Sequence, residues 1–218
     1  FESLKIDAMQ ISGGALREGI IYNMLEERHP LRERVQTVEQ LVEKFHIDLQ
    51  QANRVKNLSL HFLHQLQLPN PPGFDLRVVL EVAAMLHEIG LHIEYKKHHL
   101  HGAYILQNLP LIGFNRQQQD CIRLLVRNHR EGIDTDSLQT MFPELRQGLS
   151  VLIRILRLAD LLCVRRKDDV LPNINLSWED ALLKVKFPDD WLSQHPLIHA
   201  ELTAETVSYT HLTLPTRS

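Results

Sequence analysis

Residues 78–86 (VVLEVAAML) are apolar on almost every side of a helix. A helix without a polar face does not lie on a surface, so this one must sit at the centre of a packed domain with other helices around it. It runs into His87-Glu88, with Gly90 just beyond as the expected left-handed stop. A buried helix that delivers a His-acid pair to a basic loop is where chemistry, or its relic, is expected.

The surrounding sequence supplies the neighbours. Val38, Leu41, Val42 and Phe45 recur at helical spacing. Asp48 is placed to cap a second helix, with Gln51 at the capping-box position and Val55, Leu58, Phe62, Leu63 and Leu66 inward. The loop PNPPG (69–73) separates it from the central helix. Further helices are expected around 102–108, from the cap Asn115 to Asn128, and over roughly 144–167 behind Pro143. Beyond Pro172 the pattern changes: 173–178 and 182–187 read as a hairpin, and Asp190 is placed to cap a short helix. At the other end, Leu4–Ile11 reads as a strand and Ala15–Leu25 as a helix. A lone strand cannot satisfy its own edges, so its sheet partners are expected elsewhere. Residues 207–218 are Thr-rich and read either as a last strand or as a non-native tail.

Composition narrows the function classes. A net charge of −3 gives no reason to expect specific nucleic-acid binding. The distribution is uneven: residues 121–167 hold nine Arg/Lys against five Asp/Glu, and 168–205 hold two against eight. Cys121 and Cys163 match no metal or disulfide spacing and read as core residues of a reducing, cytoplasmic compartment. No signal peptide is expected, because the first residues lack a basic region followed by an apolar one, and no transmembrane run, because Arg154 and Arg157 interrupt the longest apolar segment. Walker loops, dinucleotide glycines, nucleophile elbows and CxxC are absent.

Two sets of residues carry possible chemistry. His87, Glu88, His129 and Asp160 resemble the metal site of the HD phosphohydrolases, in which imidazoles and carboxylates hold a divalent ion that activates water. The match is degenerate. Glu88 replaces the shorter Asp, and Gln51 stands where a first His is expected, so a metal is not expected here. The alternative is a polar core cluster in which His87, or Arg157 one turn away, partners Asp160. The second set is basic: Lys96, Lys97, Arg127, Arg130, Arg165 and Arg166. It reads as helix-end compensation or as a phosphate track.

Several segments together resemble one family. SGGALREG (12–19), AAMLHEIGL (83–91), HGAYILQN (101–108), LPLIGFN (109–115), RLAD (157–160) and FPDDWLSQHPL (187–197) are similar, in order, to the bacterial exopolyphosphatase/guanosine pentaphosphate phosphohydrolases. The resemblance implies a mostly α fold. It assigns 1–28 to the end of an actin-like (ribonuclease H-like) catalytic domain, 30–170 to an HD-like helical bundle, and 171–206 to a small α+β appendage. It further implies that the catalytic residues and the Mg²⁺ lie upstream of this sequence, that the protein is a homodimer, and that this portion grips polyphosphate for an exopolyphosphatase. The alternatives are a guanosine pentaphosphate phosphohydrolase, a self-sufficient metal phosphohydrolase and a non-catalytic dimerisation module.

Overall fold

The computed structural model describes residues 30–168, 171–179 and 182–209. The strand and helix expected within residues 4–25 lie outside the described residues. α1 (Pro30–Lys44) and α2 (Leu49–Leu66) open the bundle. Asp48 caps α2 by accepting hydrogen bonds from the Gln50 and Gln51 amides, both at 3.1 Å. The expected reciprocal capping box does not form, because the Gln51 side chain donates instead to the Cys163 carbonyl, 3.0 Å away. Ala52, Val55, Ser59 and Phe62 bury one stripe of α2.

That stripe meets the central helix, α3 (Leu76–Leu86), in which all but three residues are buried. It packs against α1, α2, α5 (Arg116–Asn128) and α7 (Pro143–Cys163), so its lack of a polar face follows from being surrounded. α5 starts at a complete capping box between Asn115 and Gln118. α7 buries most of its length, with Pro143 in its first turn where the missing amide hydrogen costs nothing. A short α6 (Thr135–Gln139), capped by Asp134, precedes it.

Gly90 does something other than stop α3. The helix ends at Leu86 and passes through His87 in a right-handed conformation into a 3₁₀ turn, Ile89–His92. Gly90 lies inside that turn, where α4 (His98–Asn108) crosses it at backbone contact. Its small size, not its conformational freedom, is what the site requires. The positive-φ glycine that matters is Gly113, at +86° in the loop after α4. Its carbonyl accepts from Arg34 Nε at 2.8 Å, and the neighbouring Ile112 carbonyl accepts from Thr37 Oγ1 at 3.0 Å, which ties α1 down.

The expected hairpin is present: β1 (Asn175–Glu179) pairs antiparallel with β2 (Leu182–Lys186), Leu176 opposite Val185. Gln65 of α2 fixes it to the bundle by donating to the Ile174 carbonyl at 2.9 Å and accepting from the Leu176 amide at 2.7 Å. α8 (Trp191–Gln194) follows, but Asp190 sits at φ 61° and makes no side-chain cap. α9 (Pro196–Tyr209) then returns to α7. Residues 207–209 are therefore helical, which overturns the last-strand reading at those positions. The fold is mostly α with a small antiparallel sheet, as expected.

Candidate functional site

The end of α3, the start of α4, the end of α5 and the C-terminal third of α7 converge on a pocket of about 500 Å³. His98, His129, Arg130, Asp160 and Gln51 line it, and Glu201 and Glu205 of α9 close the far side. Three imidazoles stand together there. His87 is fully buried, and His98 and His129 are nearly so. His87 and His129 meet edge to face at 5.5 Å, and His98 and His129 lie 5.2 Å apart between ring centres.

Each ring is oriented in the same way. Nδ1 of His87, His98 and His129 faces the carbonyl three residues back (Ala84 at 2.7 Å, Tyr95 at 3.0 Å, Val126 at 2.6 Å). Nδ1 therefore carries the hydrogen and donates, which turns each Nε2 inward. The Nε2 of His87 makes no hydrogen bond and sits 3.5 Å from Asp160 Oδ1. The Nε2 atoms of His98 and His129 are 3.2 Å apart, a contact that is a hydrogen bond only when one of them holds a proton.

Charges follow from these surroundings. Burial opposes a charge on His87, but the Asp160 carboxylate beside it outweighs burial and raises its pKa. Burial likewise disfavours the Asp160 carboxylate, yet His87 first, then His129 and Arg130, hold it well below the usual carboxylate range. Burial lowers the pKa values of His98 and His99 and pushes His129 down to about 3.

This arrangement fixes a pH dependence of stability. The contribution of His87 is complete below the ordinary histidine value of ~6.5 and is lost as pH rises through its raised value. His129 acts in the opposite sense. Below ~6.5 the unfolded chain takes up a proton that the folded chain refuses until about pH 3, so stability falls on acidification. The share of Asp160 persists above ~4 and disappears only in stronger acid. Urea unfolding at a series of pH values should peak near ~6.5, and His129 alone should cost about 2 kcal/mol between pH ~6.5 and ~4.5. A profile flat over that interval would contradict the assignment.

The expected site residues are only partly brought together. His87, His129 and Asp160 form one cluster, joined by His98, which the sequence showed only as part of a basic run. Glu88 lines the same pocket but pairs with Arg166, which also donates to Asp48 Oδ2 at 2.8 Å. Arg157 does not partner Asp160. It donates to the Asn128 carbonyl at 2.9 Å and the Glu131 carbonyl at 2.7 Å, and it pairs with Glu205. Of the basic set, Arg130 and Arg166 line the pocket, while Arg127 is paired with Asp134 at 2.6 Å. Arg165 lines a separate cleft, and Lys96 and Lys97 are exposed on the turn before α4.

Among the described residues, no three His, Cys, Asp or Glu side chains are arranged to hold a metal ion. The imidazole-rich cluster is also a poor match for Mg²⁺, which takes oxygen ligands in an octahedron. Cys121 and Cys163 are free and buried, as the sequence suggested, and burial raises both thiols to about 12, which keeps them inert. Among the described residues, no helix is long and apolar enough to cross a membrane.

The family model for "Ppx/GppA phosphatase, domain III" matches residues 33–206. Relatives named guanosine-5'-triphosphate,3'-diphosphate pyrophosphatase align along nearly all of the chain. The protein of Pseudoalteromonas atlantica is 48% identical over 206 residues, covering 94% of this chain and 41% of the relative. That of Pseudoalteromonas translucida is 38% identical over 207 residues, with the same coverage. That of Aeromonas salmonicida is 36% identical over 222 residues, covering 100% of this chain and 44% of the relative. The helical domain is thus one of those carried by phosphatases. The chain belongs to the Ppx/GppA phosphatase family. It spans less than half the length of these relatives.

Proposed function

We propose that the chain is the helical rear portion of an enzyme that hydrolyses a phosphoanhydride bond of guanosine pentaphosphate, with the cleaving centre in the part of its relatives that it does not span. The observation that carries this reading is the identity of 36% to 48% with proteins named for that substrate. Those names favour the guanosine alternative over the exopolyphosphatase reading. In the proposed full-length reaction, water attacks a phosphoryl group whose developing charge is met by fixed cations and amides. The present portion contributes anion-facing side chains, Arg130 and Arg165 among them, and a rigid bundle that supports them. Mg²⁺ and a homodimeric assembly belong to the same proposal.

The rival is a self-sufficient phosphohydrolase built on the histidine cluster. Assay of the purified 218-residue chain separates the two. The proposal expects no phosphatase activity and metal well below one equivalent per chain. A stoichiometric metal, with activity abolished by His87→Ala, would establish the rival instead.

A further inference from the structure

A second cleft lies beside the C-terminal end of α7 and differs in chemistry from the histidine pocket. It encloses about 260 Å³ over an apolar floor of Leu58, Leu162 and Leu171, with Trp191 along one wall. Arg54, Arg165, Arg166 and Lys167 stand around it, against one carboxylate among the described residues, that of Asp168. Two of these cations are already engaged. Arg54 pairs with Asp168 at 2.6 Å, and Arg166 with Asp48 and Glu88. Arg165 and Lys167 are exposed and have no such partner among the described residues.

We infer that this cleft binds the nucleoside end of a guanosine polyphosphate, with the base against the apolar floor and the phosphates toward Arg165 and Lys167. The inference rests on the guanosine reading above for the identity of the base. An apolar floor contributes nothing to an inorganic phosphate chain, whose every atom is solvated and charged. A nucleotide uses both halves of the site: its base is buried, and its phosphates take charge-assisted hydrogen bonds from the cations. The volume lies just under the ~300 Å³ at which small-ligand cavities begin, room for a base and sugar rather than an extended polymer. The wall is set before binding, because Trp191 is stacked on Phe187 at 5.3 Å and on His195 at 4.1 Å. A fixed wall spares the ordering cost of association.

The chain has two tryptophans, so Trp178→Phe leaves Trp191 as the sole indole reporter. Titration of this 218-residue variant with GTP should give a saturable change in emission, and inorganic tripolyphosphate should bind about tenfold more weakly or worse. Arg165→Glu combined with Lys167→Glu should weaken GTP binding about tenfold or more without altering thermal unfolding, since both side chains are exposed. Equilibrium dialysis of the unaltered chain with the same two anions is the second measurement. Equal affinity for GTP and tripolyphosphate, indifference to the charge reversals, or no binding of GTP by dialysis would each overturn the inference. If the longer protein hydrolyses guanosine pentaphosphate while the cleft ignores GTP, the cleft assignment alone fails. If the cleft takes GTP and the longer protein leaves guanosine pentaphosphate intact, the enzymatic reading alone fails.

Discussion

Gly90→Ala is expected to cost about 3 kcal/mol or more of folding stability, enough to leave much of a marginal domain unfolded. An added Cβ would lie 1.9 Å from the His98 carbonyl oxygen and 2.5 Å from the Gly102 amide nitrogen. Both are main-chain atoms of α4, so no side chain can swing aside to make room. Relief requires the start of α4 to move away from the 3₁₀ turn, which separates His98 from His87 and His129. The control is Gly132→Ala. Nothing lies within 4 Å of its added methyl, and the change should stay within about 0.5 kcal/mol. Urea unfolding of both variants checks the pair. Equal, small losses would mean that the crossing is looser than described.

Arg157→Met should cost about 3–5 kcal/mol, the usual penalty for removing one partner of a buried ion pair. The substitution keeps the stem of a buried side chain but abandons the two carbonyls at the end of α5 and the Glu205 carboxylate of α9. Arg157 joins these elements across the back of the histidine pocket, so the loss should include release of α9. Limited proteolysis should then cut between α8 and the end of α9 before the bundle is touched. Glu205→Gln retains a neutral acceptor and should cost less than Arg157→Met. A loss under ~1 kcal/mol for Arg157→Met would show that water satisfies the abandoned groups.

The bundle was legible because its signals are local or periodic. The apolar run at 78–86, the caps Asp48 and Asn115, and Pro143 each fix a helix from a few neighbouring residues. What depended on distant partners was not. Gly90 has the right place for a helix stop, and only its approach to α4 reveals that size is the constraint. Gln51 had the spacing for a capping box, but its side chain goes to Cys163 of α7 instead. Asp190 looked like a cap and is not one. Arg157 was legible only as a candidate partner one turn from Asp160, yet its partners lie 26 to 48 residues away. Helix α9 has apolar and polar residues spread around it without a stripe, which left its helicity unread.

The same division holds at the site. His87 and Asp160 announced themselves as polar residues in apolar helices, and they are in contact. His98 was hidden in a run of basic residues. The signal that could have found it is the small-residue pair Gly90 and Gly102, whose close approach brings the start of α4 beside His87. Arg165 read as a helix-end cation or as part of a phosphate track, and only the fold shows an apolar floor beside it.

If this chain is the non-cleaving portion of a guanosine pentaphosphate hydrolase, as proposed above, steady-state kinetics on a protein of its relatives' full length will show it. The full-length protein should release phosphate from guanosine pentaphosphate with kcat/KM at least about tenfold above that for inorganic polyphosphate, a discrimination of ~1.4 kcal/mol. The 218-residue chain alone should release none. Equal or better turnover of polyphosphate, or hydrolysis by the short chain, would contradict it.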